Sequence, residues 1–159
     1  MTIEQMDLVK KVGQLIVFGF NGYEINDHVR RAIREYKLGN VILFTRNFKN
    51  AKQLFGLIEE LQKEAMEAIG VPLLISIDQE GGSVTRLISE FTWFPGPMAI
   101  RAAGSPFLAE QVGEGIGAEM ASYGMNLNLA PVVDLANDPD SAHVGGRSYG
   151  ATPSEAAPY

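Results

Sequence analysis

Pro72-Leu73-Leu74-Ile75-Ser76-Ile77-Asp78-Gln79-Glu80-Gly81-Gly82 carries an apolar strand straight into two carboxylates and a glycine pair. Leu73 to Ile77 read as a strand buried on both faces, the pattern of a parallel sheet covered by helices. The run stops at Asp78, whose charge is costly to bury without partners. Gly81 and Gly82 then free the backbone for a tight turn. An acid at the carboxyl end of a parallel strand sits where α/β folds place their chemistry.

Outward from this corner, strand and helix alternate. Asp7 to Val12 read as a short first helix and Leu15 to Phe20 as a strand. Asn26 to Tyr36 form a helix with Val29, Ile33 and Tyr36 at helical spacing and Gly39 beyond its end. Val41 to Phe44 form the next strand. Ala51 to Ile69 form a long amphipathic helix with Leu54, Leu57, Ile58, Leu61, Ala65 and Ile69 on one stripe. Ser83 to Gly104 read as an irregular segment, long enough to expect function in it. A helix then runs from Pro106 to about Tyr123, Leu127 to Val133 form a fourth strand ending at Asp134, and 136–159 lack periodicity. Such alternation implies right-handed βαβ units and a parallel sheet. It closes either as a (β/α)₈ barrel, which takes about 250 residues, or as a small open sheet.

Composition narrows the function classes. The chain has 159 residues, 46% of them apolar and 20% charged, so it is globular with a real core. A formal charge of −6 argues against nucleic acid and against anionic membranes as partners. Cysteine is absent, which removes disulfides and thiolate metal sites. The polar start Met1-Thr2-Ile3-Glu4 lacks the features of a signal peptide, and no apolar run nears the roughly 20 residues of a membrane helix. A cytoplasmic protein is expected.

Several motifs carry bland readings. Gly113-Glu114-Gly115-Ile116-Gly117-Ala118 matches a dinucleotide pattern, yet it lies inside a helical pattern and not after a strand. Its glycines are expected to let the helix approach the sheet. His28 lies on a polar helix face. His143 with Asp138 and Asp140 in one loop is too loose a set to define a metal site, and no metal or cofactor is expected. Asp78 and Asp134 each follow a strand, so a barrel would turn both toward one cavity. Arg86 and Arg147 lie in turn regions that could meet them. Acids and arginines on one face suit a polyhydroxylated or anionic ligand; they equally suit Asp–Arg pairs that staple loops together, and spacing leaves both open.

Val41-Ile42-Leu43-Phe44-Thr45-Arg46-Asn47, Ile77-Asp78-Gln79-Glu80-Gly81-Gly82 with Arg86, Asn128-Leu129-Ala130-Pro131-Val132-Val133-Asp134 and Gly146-Arg147-Ser148-Tyr149-Gly150 occur in that order. Together they resemble the N-terminal domain of glycoside hydrolase family 3, and most closely its bacterial β-N-acetylglucosaminidase branch. The resemblance implies a (β/α)₈ barrel of which residues 1–159 cover about the first half, four βα units of an incomplete domain. It implies that Asp78, Arg86 and Arg147 bind the sugar, with Glu80 and Asp134 in supporting roles. The family's Lys-His-x-Pro-Gly-His-Gly segment and its later nucleophilic aspartate find no match here, so no catalytic residue is assigned in this chain. The activity implied for the parent is retaining removal of terminal β-linked N-acetylglucosamine, with the 159 residues inactive alone. A β-glucosidase or phosphorylase of the same family, or a non-catalytic sugar-binding half-barrel, are the alternatives. Open barrel edges lead to an expectation of self-association.

Overall fold

The computed structural model describes residues 2–138, 140–141 and 143–159. The elements in order are α1 (Leu8–Gly13), β1 (Val17–Phe18), α2 (Asp27–Arg34), β2 (Asn40–Leu43), α3 (Ala51–Ala68), β3 (Leu74–Ile77), α4 (Pro97–Ala102), α5 (Pro106–Ser122), β4 (Leu127–Asn128) and α6 (Pro153–Ala156). The strands form one sheet in the order β1-β2-β3-β4. The β1–β2 and β2–β3 pairs are parallel, with Val17 opposite Asn40 and Asn40 opposite Leu74. The α/β reading of the sequence holds. Among the described residues, no helix is long and apolar enough to cross a membrane.

The chain divides into two compact units, Met1–Ile77 with Ala121–Leu127, and Asp78–Met120 with Asn128–Tyr159. In the first, β2 and β3 form the centre. Val41, Leu43, Ile75 and Ile77 are all 1% exposed or less. Helix α3 buries Leu54, Leu57, Ile58, Leu61 and Ala65, the stripe its 3.6-residue period dictates. Truncating one of these, Leu61→Ala, costs about 3 kcal/mol from lost transfer energy and the cavity left behind. Helix α2 shows only Val29 and Ile33 to the core. Its N-terminus is capped by Asn26, whose side chain accepts from the Val29 amide at 3.1 Å. Asparagines also brace the strand ends: Asn40 Nδ2 donates to the carbonyls of Gln14 and Ile16, and Asn126 donates to Leu73 O while accepting from Ile75 N at 2.7 Å.

In the second unit, β3's chain continues into the turn 78–84, and α4 and α5 follow. Helix α5 buries Ala109, Val112, Ile116 and Met120. Pro97 starts α4 at its first position, where a missing N–H costs nothing.

Several sequence expectations are corrected. Strand β1 is Val17–Phe18 and β4 is Leu127–Asn128, both shorter than read. Pro131 has no N–H for a ladder, and Leu129 and Val133 are exposed, so apolarity there does not signal a strand. Leu74 is 47% exposed, so β3 is not covered on both faces along its length. Tyr36 is exposed because α2 ends two residues before it. The segment 83–104 contains α4, and the aperiodic tail contains α6 and the 3-10 turn Gly145–Arg147.

Candidate functional site

Asp78, Gln79 and Glu80 leave β3 in succession, and each is held by a different partner. Asp78 Oδ2 accepts from Arg86 Nη2 at 2.9 Å, with both side chains partly exposed. Glu80 is gripped bidentately: Arg147 Nε donates to Oε2 at 2.8 Å and Nη2 to Oε1 at 2.6 Å. The Glu80 side chain is 4% exposed, so this is a nearly buried carboxylate matched to a planar fork. Arg147 Nη1 also donates to the His143 carbonyl at 2.9 Å. These hydrogen bonds to Glu80 hold the Arg147 guanidinium above its ordinary value; partial burial opposes them, and the charges of Glu80, Asp134 and Asp78 add to them. Asp78, Glu80 and Asp134 therefore act on one guanidinium.

The backbone turn that makes this possible needs its glycines. Gly81 has φ +86° and Gly82 φ +58°. A Cβ on Gly81 would lie 2.6 Å from the Pro95 carbonyl oxygen, and one on Gly82 would lie 2.8 Å from Gly96 Cα. The Gly82 amide donates to Phe94 O at 2.9 Å, and Glu80 N donates to Val84 O at 3.0 Å. The 94–96 segment thus lies directly on the glycine turn.

Asp134 is placed differently from the other acids. Its side chain is exposed, and no hydrogen bond reaches its carboxylate among the described residues. Its main chain is tied in: Ser148 Oγ lies 2.7 Å from Asp134 O and 2.8 Å from Gly150 O, and the Ala136 amide donates to Gly150 O at 2.9 Å. Ser148 is buried, so the hydroxyl pins the loop that carries Arg147 to the loop that carries Asp134.

A cavity of about 600 Å³ borders Gln79, Glu80, Asn128, Pro131, Tyr149 and Tyr159 and runs along one face of α5. Tyr149 and Tyr159 stack with ring centroids 5.7 Å apart, and burial pushes the Tyr149 phenol up from its ordinary value. The dinucleotide-like glycines lie within α5. Of these, Gly115 alone is tight, where a Cβ would meet the Phe94 ring at 2.7 Å, while Gly113 and Gly117 face open space. Gly115 therefore admits a loop aromatic, and the open space at Gly113 and Gly117 shows no close approach that needs a glycine there. Asp140 N donates to Asp138 Oδ1 at 3.0 Å, which closes a local turn. Among the described residues, no group of three or more His, Cys, Asp and Glu could hold a metal.

The structure thus brings Asp78 to Arg86 and Glu80 to Arg147, with Asp134 joined to them through its charge and main chain. Sequence reasoning missed Gln79, Asn128 and Ser148. No spacing rule points to them, because their bonds run to backbone groups of other segments. With both loop acids engaged by guanidinium groups, the corner offers directional donors and acceptors suited to hydroxyls.

The model described as the glycosyl hydrolase family 3 N-terminal domain matches residues 7–159. The chain belongs to this family. Its fold is accordingly of the TIM-barrel-like α/β type. A β-hexosaminidase from Photobacterium profundum is 35% identical over 139 residues, covering 87% of this chain and 40% of that protein. β-Hexosaminidase A of Pseudoalteromonas piscicida is 38% identical over 126 residues, covering 76% of this chain and 21% of that one. Among solved structures, the family 3 β-N-acetylglucosaminidase from Paenibacillus sp. str. FPU-7 superposes with a TM-score of 0.93 at 46% identity, covering 96% of this chain and 29% of that one. The chain thus spans between about a fifth and two fifths of the length of these relatives.

Proposed function

We propose that this chain supplies the sugar-holding corner of a retaining glycoside hydrolase that removes terminal β-linked N-acetylglucosamine from cell-wall or chitin-type oligosaccharides. The observation that carries the reading is the pair of Arg–carboxylate contacts, Asp78–Arg86 and Glu80–Arg147, on a glycine turn directly after β3. Asp78, Arg86 and Arg147 hold the sugar hydroxyls, with Glu80 and Asp134 in supporting roles. The printed names of the relatives, β-hexosaminidase and β-N-acetylglucosaminidase, support the choice of sugar. In this reading no residue of 1–159 is the acid/base or the nucleophile, and the chemistry runs through a covalent glycosyl-enzyme without metal or organic cofactor. Action in the cytoplasm belongs to the same proposal and is supported by the lack of cysteine.

The test is a chimera in which residues 1–159 replace the matching segment of the Paenibacillus enzyme. We expect it to release p-nitrophenol from the β-N-acetylglucosaminide in preference to the β-glucoside, while the 159-residue chain alone releases none. A folded chimera that prefers the glucoside, or turnover by the chain alone, would overturn the reading. Self-association through the sheet edge at β1 is also proposed, because Leu15 is 83% and Val17 52% exposed there. Light scattering across a concentration series should show dimers or larger species; a monomer throughout would end that part.

A further inference from the structure

Gln79 lies between Asp78 and Glu80, yet its side chain faces away from solvent and the residue is 2% exposed. Its Oε1 accepts from the Arg86 amide at 2.9 Å and from the Leu87 amide at 3.3 Å. One carboxamide oxygen therefore holds the backbone of the residue whose guanidinium returns to Asp78. The main chain of Gln79 is fixed separately: its amide donates to Asn128 Oδ1 at 3.0 Å, and Asn128 Nδ2 donates to its carbonyl at 2.9 Å. Asn128 does for residue 79 what Asn126 does for Leu73 and Ile75. A side-chain amide can present donor and acceptor together to the N–H and C=O of one residue, which a carboxylate or hydroxyl cannot do at the same two points.

We propose that Gln79, seated by Asn128, is a positioning residue for the Asp78–Arg86 pair. Without the Oε1 acceptor, the loop loses the bonds that fix residues 86 and 87, and the buried Leu87 amide forces it to shift toward another acceptor. The Arg86 guanidinium then no longer meets Asp78 Oδ2 at its present angle. The carboxylate is left free to rotate, so hydroxyl recognition weakens although neither contacting residue has changed. A residue that only stabilised the fold would lower the melting temperature without acting through Asp78.

The inference rests on the sugar reading above, and the experiment separates the two. The 159-residue chain is titrated with N-acetylglucosamine by amide chemical-shift mapping, as wild type, Gln79→Met, Gln79→Glu, Asp78→Ala and the Asp78→Ala/Gln79→Met double variant. Gln79→Met keeps the volume and loses the acceptor; Gln79→Glu keeps an acceptor at the same place. We expect about tenfold weaker binding for Gln79→Met, binding within about threefold of wild type for Gln79→Glu, and no further loss when Gln79→Met is added to Asp78→Ala. Equal affinity for wild type and Gln79→Met, or losses that simply add in the double variant, would overturn it. If wild type does not bind the sugar, the sugar reading fails, and hydrogen exchange decides the inference. Arg86 and Leu87 amides slow in wild type and Gln79→Glu but fast in Gln79→Met support it; equal exchange in all three refutes it.

Discussion

Glu64 and Glu80 are both buried acids gripped by arginines, and they hold different kinds of structure. Glu64 sits on α3 and takes Arg30 and Arg34, one turn apart on α2, with Glu60 also reaching Arg30. Both helices already bury apolar stripes, so these ion pairs lie over a contact that packing makes anyway. Glu80 takes Arg147 from a loop 67 residues later, and neither loop has a stripe to bury. There the polar contacts are themselves the packing. The lesson is that an Arg–Glu pair on helices reinforces, whereas one between loops defines where its donors point. This is why only the second set reads as a ligand site.

The largest expected difference comes from removing a partner on each side. Arg147→Ala leaves the Glu80 carboxylate buried without its cation and should cost about 3 kcal/mol in chemical denaturation, along with N-acetylglucosamine binding. Glu64→Gln leaves arginines that swing into water, so it should shift the midpoint only slightly and leave sugar affinity unchanged. Equal losses would break the comparison.

Glycines sharpen it next. Gly82→Ala puts a side chain on a left-handed residue against Gly96 and should destabilise by about 2 kcal/mol. Gly56→Ala in α3, with nothing within 4 Å of the new Cβ, should stabilise by up to about 1 kcal/mol. Thermal melts of the two variants check both signs.

Within the corner, Asp78→Asn should weaken N-acetylglucosamine binding about tenfold, since a charged acceptor is lost. Asp134→Asn should stay within about twofold. A reversal, read by calorimetry, would move the contact from Asp78 to Asp134. The smallest effect concerns Tyr149. Burial raises its ionisation above the ordinary 10.0, so the neutral phenol contributes stability that is fully present below that value and is lost as pH climbs through the raised one. Tyr149→Phe should flatten stability against pH in this alkaline window, and an unchanged slope would assign the loss elsewhere.

Periodicity made the centre legible. The α3 stripe and the β2 and β3 runs follow from burial, which sequence records directly. Strands β1 and β4 are shorter than their apolar runs suggest because Leu15, Leu129 and Val133 are apolar yet exposed, and apolarity alone cannot tell an unpartnered face from a buried one. Helix α4 was hidden by its shortness, although Gly96-Pro97 marks its start. At the site, Asp78 and Arg86 could be proposed from their closeness in sequence. The Glu80–Arg147 match and the Gln79–Asn128 clamp join residues far apart, and only the folded chain supplies those pairings.

That separation has a consequence for biosynthesis. Asp78 and Arg86 leave the ribosome almost together, so their pair can form at once. Asn128 arrives 49 residues after Gln79, and Arg147 arrives 67 after Glu80. Until then Glu80 must stay hydrated, so the nascent corner is an open, acidic loop that closes only once Arg147 has been made.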